Sequence, residues 1–173
     1  MKKILYIIVL SFGLSIFSCS PPQEKNKTVE VKSDHNPEAK LDSMGIVLPK
    51  TSTPVANFVN TVQVGNLLFL SGNGPLKPDG KFITGKVGQD LSIREGYGAA
   101  RLTAINQIAI LKDALGDLSR VKKIIRATGM VNATSDFKQH PAVVNGFSDL
   151  MVAVFGEKGK HTRAAVGMAS LPF

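Results

Sequence analysis

The chain has one cysteine and no tryptophan among its 173 residues. A lone thiol, Cys19, excludes any disulfide within the chain, so the fold must be held by burial of apolar side chains. The basic residues are scattered and no Lys/Arg run is interleaved with aromatics. Single-stranded nucleic acid is gripped by stacking on aromatic faces along a basic groove, so no nucleic-acid partner is expected. There is no CxxC, and His35, His140 and His161 have no metal-ligand spacing. A zinc site is therefore not expected. The sequence also lacks GxSxG, a Walker A loop and GxGxxG, and Gly72-Asn73-Gly74 is too short to cradle a phosphate. No cofactor is expected.

Acidic residues are in deficit. The formal net charge is +8, from 21 basic and 13 acidic side chains. Removing Lys2 and Lys3 with the first 18 residues still leaves +6. That balance by itself favours anionic small molecules, nucleic acid or acidic lipid, or is a solvated basic surface.

The N-terminus reads as a processed leader. Met1-Lys2-Lys3 precedes an almost wholly apolar stretch, Ile4 to Phe17, interrupted only by Ser11, Gly13 and Ser15. This is too short to span a bilayer as a mature helix and suits a signal peptide. It ends in Ile16-Phe17-Ser18-Cys19, similar to a lipobox, whose thiol accepts the diacylglyceryl group. The expected organisation is a signal peptide over 1–18, a disordered polar tether over 19–40, and one domain over 41–173. Cys19 is the expected lipidation site, and Ser20 after it fits the outer membrane, with the protein facing the periplasm. Several acyl chains would anchor it stably.

Within the domain, Thr61–Val64 and Leu67–Ser71 are β-rich and are separated by Gly65-Asn66, which predicts a tight hairpin. The segment 72–88 carries five glycines and two prolines and reads as a loop. Ser92 and Glu95 form a capping box opening a helix. Asp90 and Glu95 therefore make no convincing acid/base pair. Ala100, Ala104, Ile108, Leu111 and Leu115 give that helix one apolar stripe, and Gly116 sits where it should end. A strand-like run follows from Val121 to Ala133, with Gly129 as a possible bulge. His140-Pro141 fits an N-cap and first position of a second helix, which should stop at Gly156. Thr162–Ser170 is a last strand. The order is ββαβαβ, an α+β domain with a mixed sheet and two helices on one face.

The last strand alternates. The reading places Ala164, Val166 and Met168 toward the helices, and Arg163, Ala165, Gly167 and Ala169 away from them. A face of Ala and Gly with one Arg suits close approach by another surface, such as a neighbouring subunit.

These pieces resemble the RidA/YjgF family over roughly Leu41 to Phe173. The resemblance is carried by Pro54-Val-Ala-Asn-Phe58 with Val64-Gly-Asn-Leu-Leu-Phe-Leu-Ser71-Gly72, by Val144-Asn145-Gly146, and by Thr162-Arg163-Ala164-Ala165-Val166. Each motif alone is weak, but their order and spacing together are specific. The resemblance implies a chorismate-mutase-like fold, a homotrimer whose three sheets form a central barrel, and ligand clefts between subunits. It implies that Arg163 holds a substrate carboxylate through a fork-shaped pair, that Ser71 and Gly72 line the cleft, that Phe58 covers the ligand from the first strand, and that Asn145 lies nearby. Two positions depart from the common pattern: Ala165 stands where a cysteine is frequent, and Phe58 where a tyrosine is.

Family members hydrolyse reactive enamines and imines of small carboxylated metabolites, as 2-iminobutanoate/2-iminopropanoate deaminases do, with no cofactor. The family glutamate that positions water lies on a strand beyond the residues seen here. Slow hydrolysis is thus one expectation, and a non-catalytic carboxylate-binding trimer is the alternative. A ribonuclease, the activity in the family's older name, would need acid/base residues beside a basic groove, and none is found.

Overall fold

The computed structural model describes residues 35–172. The expected signal peptide, Cys19 and most of the expected tether lie outside the described residues, as does Phe173. The described elements are α1 (Pro37–Ser43), β1 (Thr61–Val64), β2 (Leu67–Leu70), α2 (Ile93–Leu115), β3 (Arg126–Asn132), α3 (His140–Phe155) and β4 (Thr162–Met168). Short 3₁₀ turns at Leu118–Arg120 and Gly156–Gly159 precede β3 and β4. The ββαβαβ order of the α+β reading is therefore present, with one helix added in front.

That added helix corrects the domain boundary, because the expected tether ran to Lys40. Asn36 caps α1, its Oδ1 accepting from the N–H groups of Glu38 and Ala39. Pro37 is at the first position, where its missing N–H costs nothing. Leu41 is buried among α2 and α3 side chains. The Glu38 carboxylate accepts from Lys112 Nζ and from the Leu118 N–H. These bonds hold the Glu38 carboxyl below its ordinary range, the lysine contact foremost. Upstream again, His35 Nε2 donates to the Val154 carbonyl at 2.7 Å. Polar composition hid this helix because one buried leucine per two turns leaves no periodic stripe.

α2 opens on the expected capping box, with the Glu95 N–H donating to Ser92 Oγ and the Ser92 N–H to Glu95 Oε2. Its stripe is the core: Ala104, Ile108 and Leu111 pack with Leu150, Met151, Val154 and Phe155 of α3. Leu68 and Leu70 of the hairpin pack against the same cluster. A second cluster joins Val87, Val131, Ala133, Val143 and Val144, with Ala165 packed on it. Burying each such side chain is worth roughly 1.5–3 kcal/mol, which lets the domain do without disulfides.

β1 and β2 form the expected antiparallel hairpin, Val64 opposite Leu67 across the Gly65-Asn66 turn. β3 and β4 are parallel, in unbroken register from Arg126↔Thr162 to Asn132↔Met168. Antiparallel and parallel pairing thus both occur, in two two-stranded ladders. β3 begins later than its β-rich sequence predicts, because its partner begins only at Thr162. The unbroken register also removes the expected bulge at Gly129. The glycine answers crowding: a Cβ there would lie 2.5 and 2.6 Å from the two methyl carbons of Val144.

The two faces of β4 are the reverse of those expected. Arg163, Ala165 and Gly167 face α3: Arg163 bonds to it, Ala165 joins the second cluster, and a Cβ on Gly167 would fall 2.3 Å from His140 Nε2. The surface that comes close to the small residues is the chain's own helix. Across the ladder Met130 and Val166 lie on the open side, 53% and 43% exposed. On the hairpin Val62, Val64, Leu67 and Phe69 are likewise exposed. Among the described residues no helix is long and apolar enough to cross a membrane.

Candidate functional site

Arg163 lies one residue into β4, opposite Ala127 of β3. Its guanidinium reaches α3, where Nη1 donates to Asn145 Oδ1 at 2.8 Å and to Ser148 Oγ at 3.1 Å. Asn145 and Ser148 are three apart on the helix and so share one face. Both hydrogens of Nη1 are committed. The Nε–H and the two Nη2–H groups have no partner among the described residues, and one edge of the fork is free. Two parallel donors on that edge match a carboxylate.

Ser148 carries the bonding further. Its Oγ is 3.1 Å from His161 Nε2, and His161 Nδ1 is 2.7 Å from the Gly159 carbonyl oxygen. A carbonyl only accepts, so Nδ1 carries a proton, and in the neutral ring Nε2 holds a lone pair. In that form the Ser148 hydroxyl donates to Nε2 while its oxygen accepts from Arg163. Phe147 closes one side of the imidazole, edge-on at 6.0 Å between ring centres. Every donor in this chain has one direction to point, which fixes the rotamers of three polar groups at once.

A cavity of about 240 Å³ is lined by Ser148, Val152, Lys160, His161 and Arg163. Lys160 is paired with Glu157 Oε1 at 2.6 Å, and that bond holds the Glu157 carboxyl below its ordinary range. Arg163 has no carboxylate partner among the described residues, so its charge is the one left unanswered at the cavity. No group of three His, Cys, Asp or Glu side chains that could hold a metal occurs among the described residues.

Arg163 and Asn145 are thus brought together. Ser71, Gly72 and Phe58 stand elsewhere, beside the hairpin. Ser71 Oγ donates to the Val59 carbonyl at 2.7 Å, its N–H donates to Asn60, and its carbonyl accepts from Gln107 of α2. Gly72 is exposed, with open space where a Cβ would be. Phe58 is half exposed and precedes β1 instead of lying in it. Among the described residues no hydrogen bond or ring contact joins these three to Arg163 within one chain. One side chain, Ser148, was missed by the sequence reading and could have been found from its three-residue spacing from Asn145. His161 is bonded at both nitrogens and sits two residues before Arg163, just ahead of β4. His140, expected as a cap, instead packs edge-on to Phe137, and Gln139 precedes α3 with no side-chain cap bond.

Fold and site define an α+β domain that presents a strand arginine, braced by a helix, to a small cavity. The family described as "YjgF/chorismate_mutase-like, putative endoribonuclease" matches residues 38–173, and the chain belongs to it. Protein TCP17 of Trypanosoma cruzi is 42% identical over 136 residues, 78% of this chain and 85% of that protein. The crystal structure of Atu1372 from Agrobacterium tumefaciens, a protein of unknown function, is 43% identical with a TM-score of 0.73, over 80% of this chain and 86% of that one. A "putative endoribonuclease" of Shewanella oneidensis is 38% identical with a TM-score of 0.76, over 79% and 91% of the two chains.

Proposed function

We propose that this protein binds small carboxylated metabolites at Arg163 and hydrolyses their imine or enamine forms to 2-oxo acids and ammonia. The observation that carries the reading is the free edge of the Arg163 guanidinium, held at a cavity by Asn145 and Ser148. A cavity near 240 Å³ has room for a metabolite of a few carbon atoms. Titration calorimetry with 2-oxobutanoate tests the anchor. A charge-assisted paired contact is worth about 2 kcal/mol, so Arg163→Ala should weaken binding roughly 30-fold. Equal affinity in the variant would remove Arg163 from the site. Binding without release of 2-oxo acid from a freshly formed imine would leave a non-catalytic carboxylate binder.

The same proposal includes a homotrimer and a lipid anchor. The exposed Val62 and Phe69 on one ladder and Met130 and Val166 on the other support self-association, because open apolar sheet faces in soluble proteins are usually covered. A trimer would also bring Ser71, Gly72 and Phe58 of one subunit to another's Arg163. Phe69→Glu with Val166→Glu should shift the mass seen by light scattering to that of a monomer; a wild-type monomer would refute the trimer. The sequence around Cys19 supports anchoring in the cell envelope. Cys19→Ala should move the protein to the soluble fraction, and retention in membranes would refute lipidation.

A further inference from the structure

We infer that Gln107 is a positioning residue: from α2 it turns the Ser71–Gly72 peptide so that the Gly72 N–H points out of the domain as a donor for the ligand. The inference rests on the carboxylate-binding reading above, in which this segment faces another subunit's Arg163. It goes beyond that reading by naming what aims the segment.

Two consecutive amides on α2 hold the segment 71–76 by its carbonyls. Gln107 Nε2 donates to the Ser71 carbonyl at 2.9 Å. Asn106 Nδ2 donates to the Gly74 and Leu76 carbonyls at 3.2 and 3.1 Å. All three carbonyls therefore turn inward. A trans peptide carries its C=O and N–H in opposite directions, so an inward carbonyl sends the next N–H outward. After Gly74 comes Pro75, which has no N–H. After Leu76 comes Lys77, whose N–H is used by the Lys81 carbonyl. After Ser71 comes Gly72, whose N–H has no partner among the described residues. Ser71 itself has nothing left to donate, since its hydroxyl goes to the Val59 carbonyl and its N–H to the Asn60 carbonyl. The outward donor at this end of β2 is thus the Gly72 N–H, and open space lies where a Cβ on Gly72 would be.

The residue that sets it is kept at a cost. Position 107 lies three residues after Ala104 and four before Leu111, on the apolar stripe. Gln107 Oε1 is buried with no hydrogen-bond partner among the described residues. A buried acceptor left unpaired is destabilising, and an apolar side chain of the same length would avoid it. Stability therefore does not account for the amide, whereas the direction of the Ser71 carbonyl does.

The Arg163 edge takes both oxygens of a carboxylate, so the acceptor left for Gly72 in 2-oxobutanoate is the oxo oxygen. Butanoate has the carboxylate without that oxygen. This pair of ligands separates a positioning role from a structural one. Calorimetry on the full chain should show Gln107→Met weakening 2-oxobutanoate about 3- to 10-fold, the worth of one hydrogen bond, with butanoate affinity within about twofold of wild type. Its Tm should stay within about 3 °C, because the lost bond is offset by the lost unpaired acceptor. Gln107→Leu decides the matter in the same way if the methionine variant does not fold. Unchanged 2-oxobutanoate affinity, or an equal loss for both ligands, would overturn the inference. If Arg163→Ala still weakens both ligands in that case, the carboxylate reading stands without it. A wild-type protein that binds neither ligand would overturn both.

Discussion

Arg163 Nη1 and Asn145 Oδ1 are 2.8 Å apart, joining the last strand to the second long helix. Asn145 presents a neutral acceptor, so it orients the guanidinium without cancelling its charge. An aspartate in its place would accept as well but would compete with any carboxylate ligand. Asn145→Ala should weaken 2-oxobutanoate binding about 3- to 10-fold, the worth of one ordinary hydrogen bond. Asn145→Asp should weaken it more. Calorimetry on both variants checks the order, and an Asp variant binding better than the Ala variant would contradict a carboxylate ligand.

The fit of Val144 against Gly129 predicts a stability effect. A methyl group at 129 would overlap both Val144 methyls, and Val144 is buried in the second cluster with no room to turn aside. Overpacking of this kind costs about 1–3 kcal/mol. Gly129→Ala should lower the Tm by several degrees in a thermal melt. An unchanged Tm would show that α3 can shift freely on the sheet.

Glu38 gives a pH dependence. Its carboxyl is held below the ordinary value of 4.5 by Lys112 and the Leu118 N–H. A depressed folded value means that this contribution is complete above the ordinary value and is lost as the pH falls through the folded one. The pair is two-fifths exposed, so its worth is under about 1 kcal/mol. Glu38→Gln should melt slightly earlier than wild type at pH 7, and the two melting curves should draw together only as the pH falls through the depressed folded value. A gap that does not narrow on acidification would assign the effect to packing of α1.

The sequence carried the elements well wherever a local rule sufficed. The Ser92–Glu95 box, the Ala104–Ile108–Leu111 stripe, the Gly65-Asn66 turn and the Gly156 stop each depend on neighbours within a few residues. What failed depends on partners far along the chain. The facing of β4 is invisible to alternation alone, because a strand of Ala, Gly and Val has no polar side to mark the solvent. Gly129 was read as a local irregularity, when its reason is Val144 on another element. α1 went unseen because Lys112 and Leu118, which hold its Glu38, are some 75 to 80 residues away. Within the site, Arg163 and Asn145 were legible by resemblance. Ser148 was not, since it is an ordinary residue until His161 stands 3.1 Å from it.

Val144 and Asn145 are consecutive, one wedged against Gly129 and the other holding Arg163. The helix therefore has a single seat on the sheet, and whatever sets that seat also sets how far the arginine must reach. Positions 129 and 144 should drift together among functional variants, a gain in volume at one matched by a loss at the other. A screen for altered carboxylate affinity should return changes at these two sites, although neither side chain could touch the ligand. The depth of one glycine thereby becomes a tuning length for a charge several residues away.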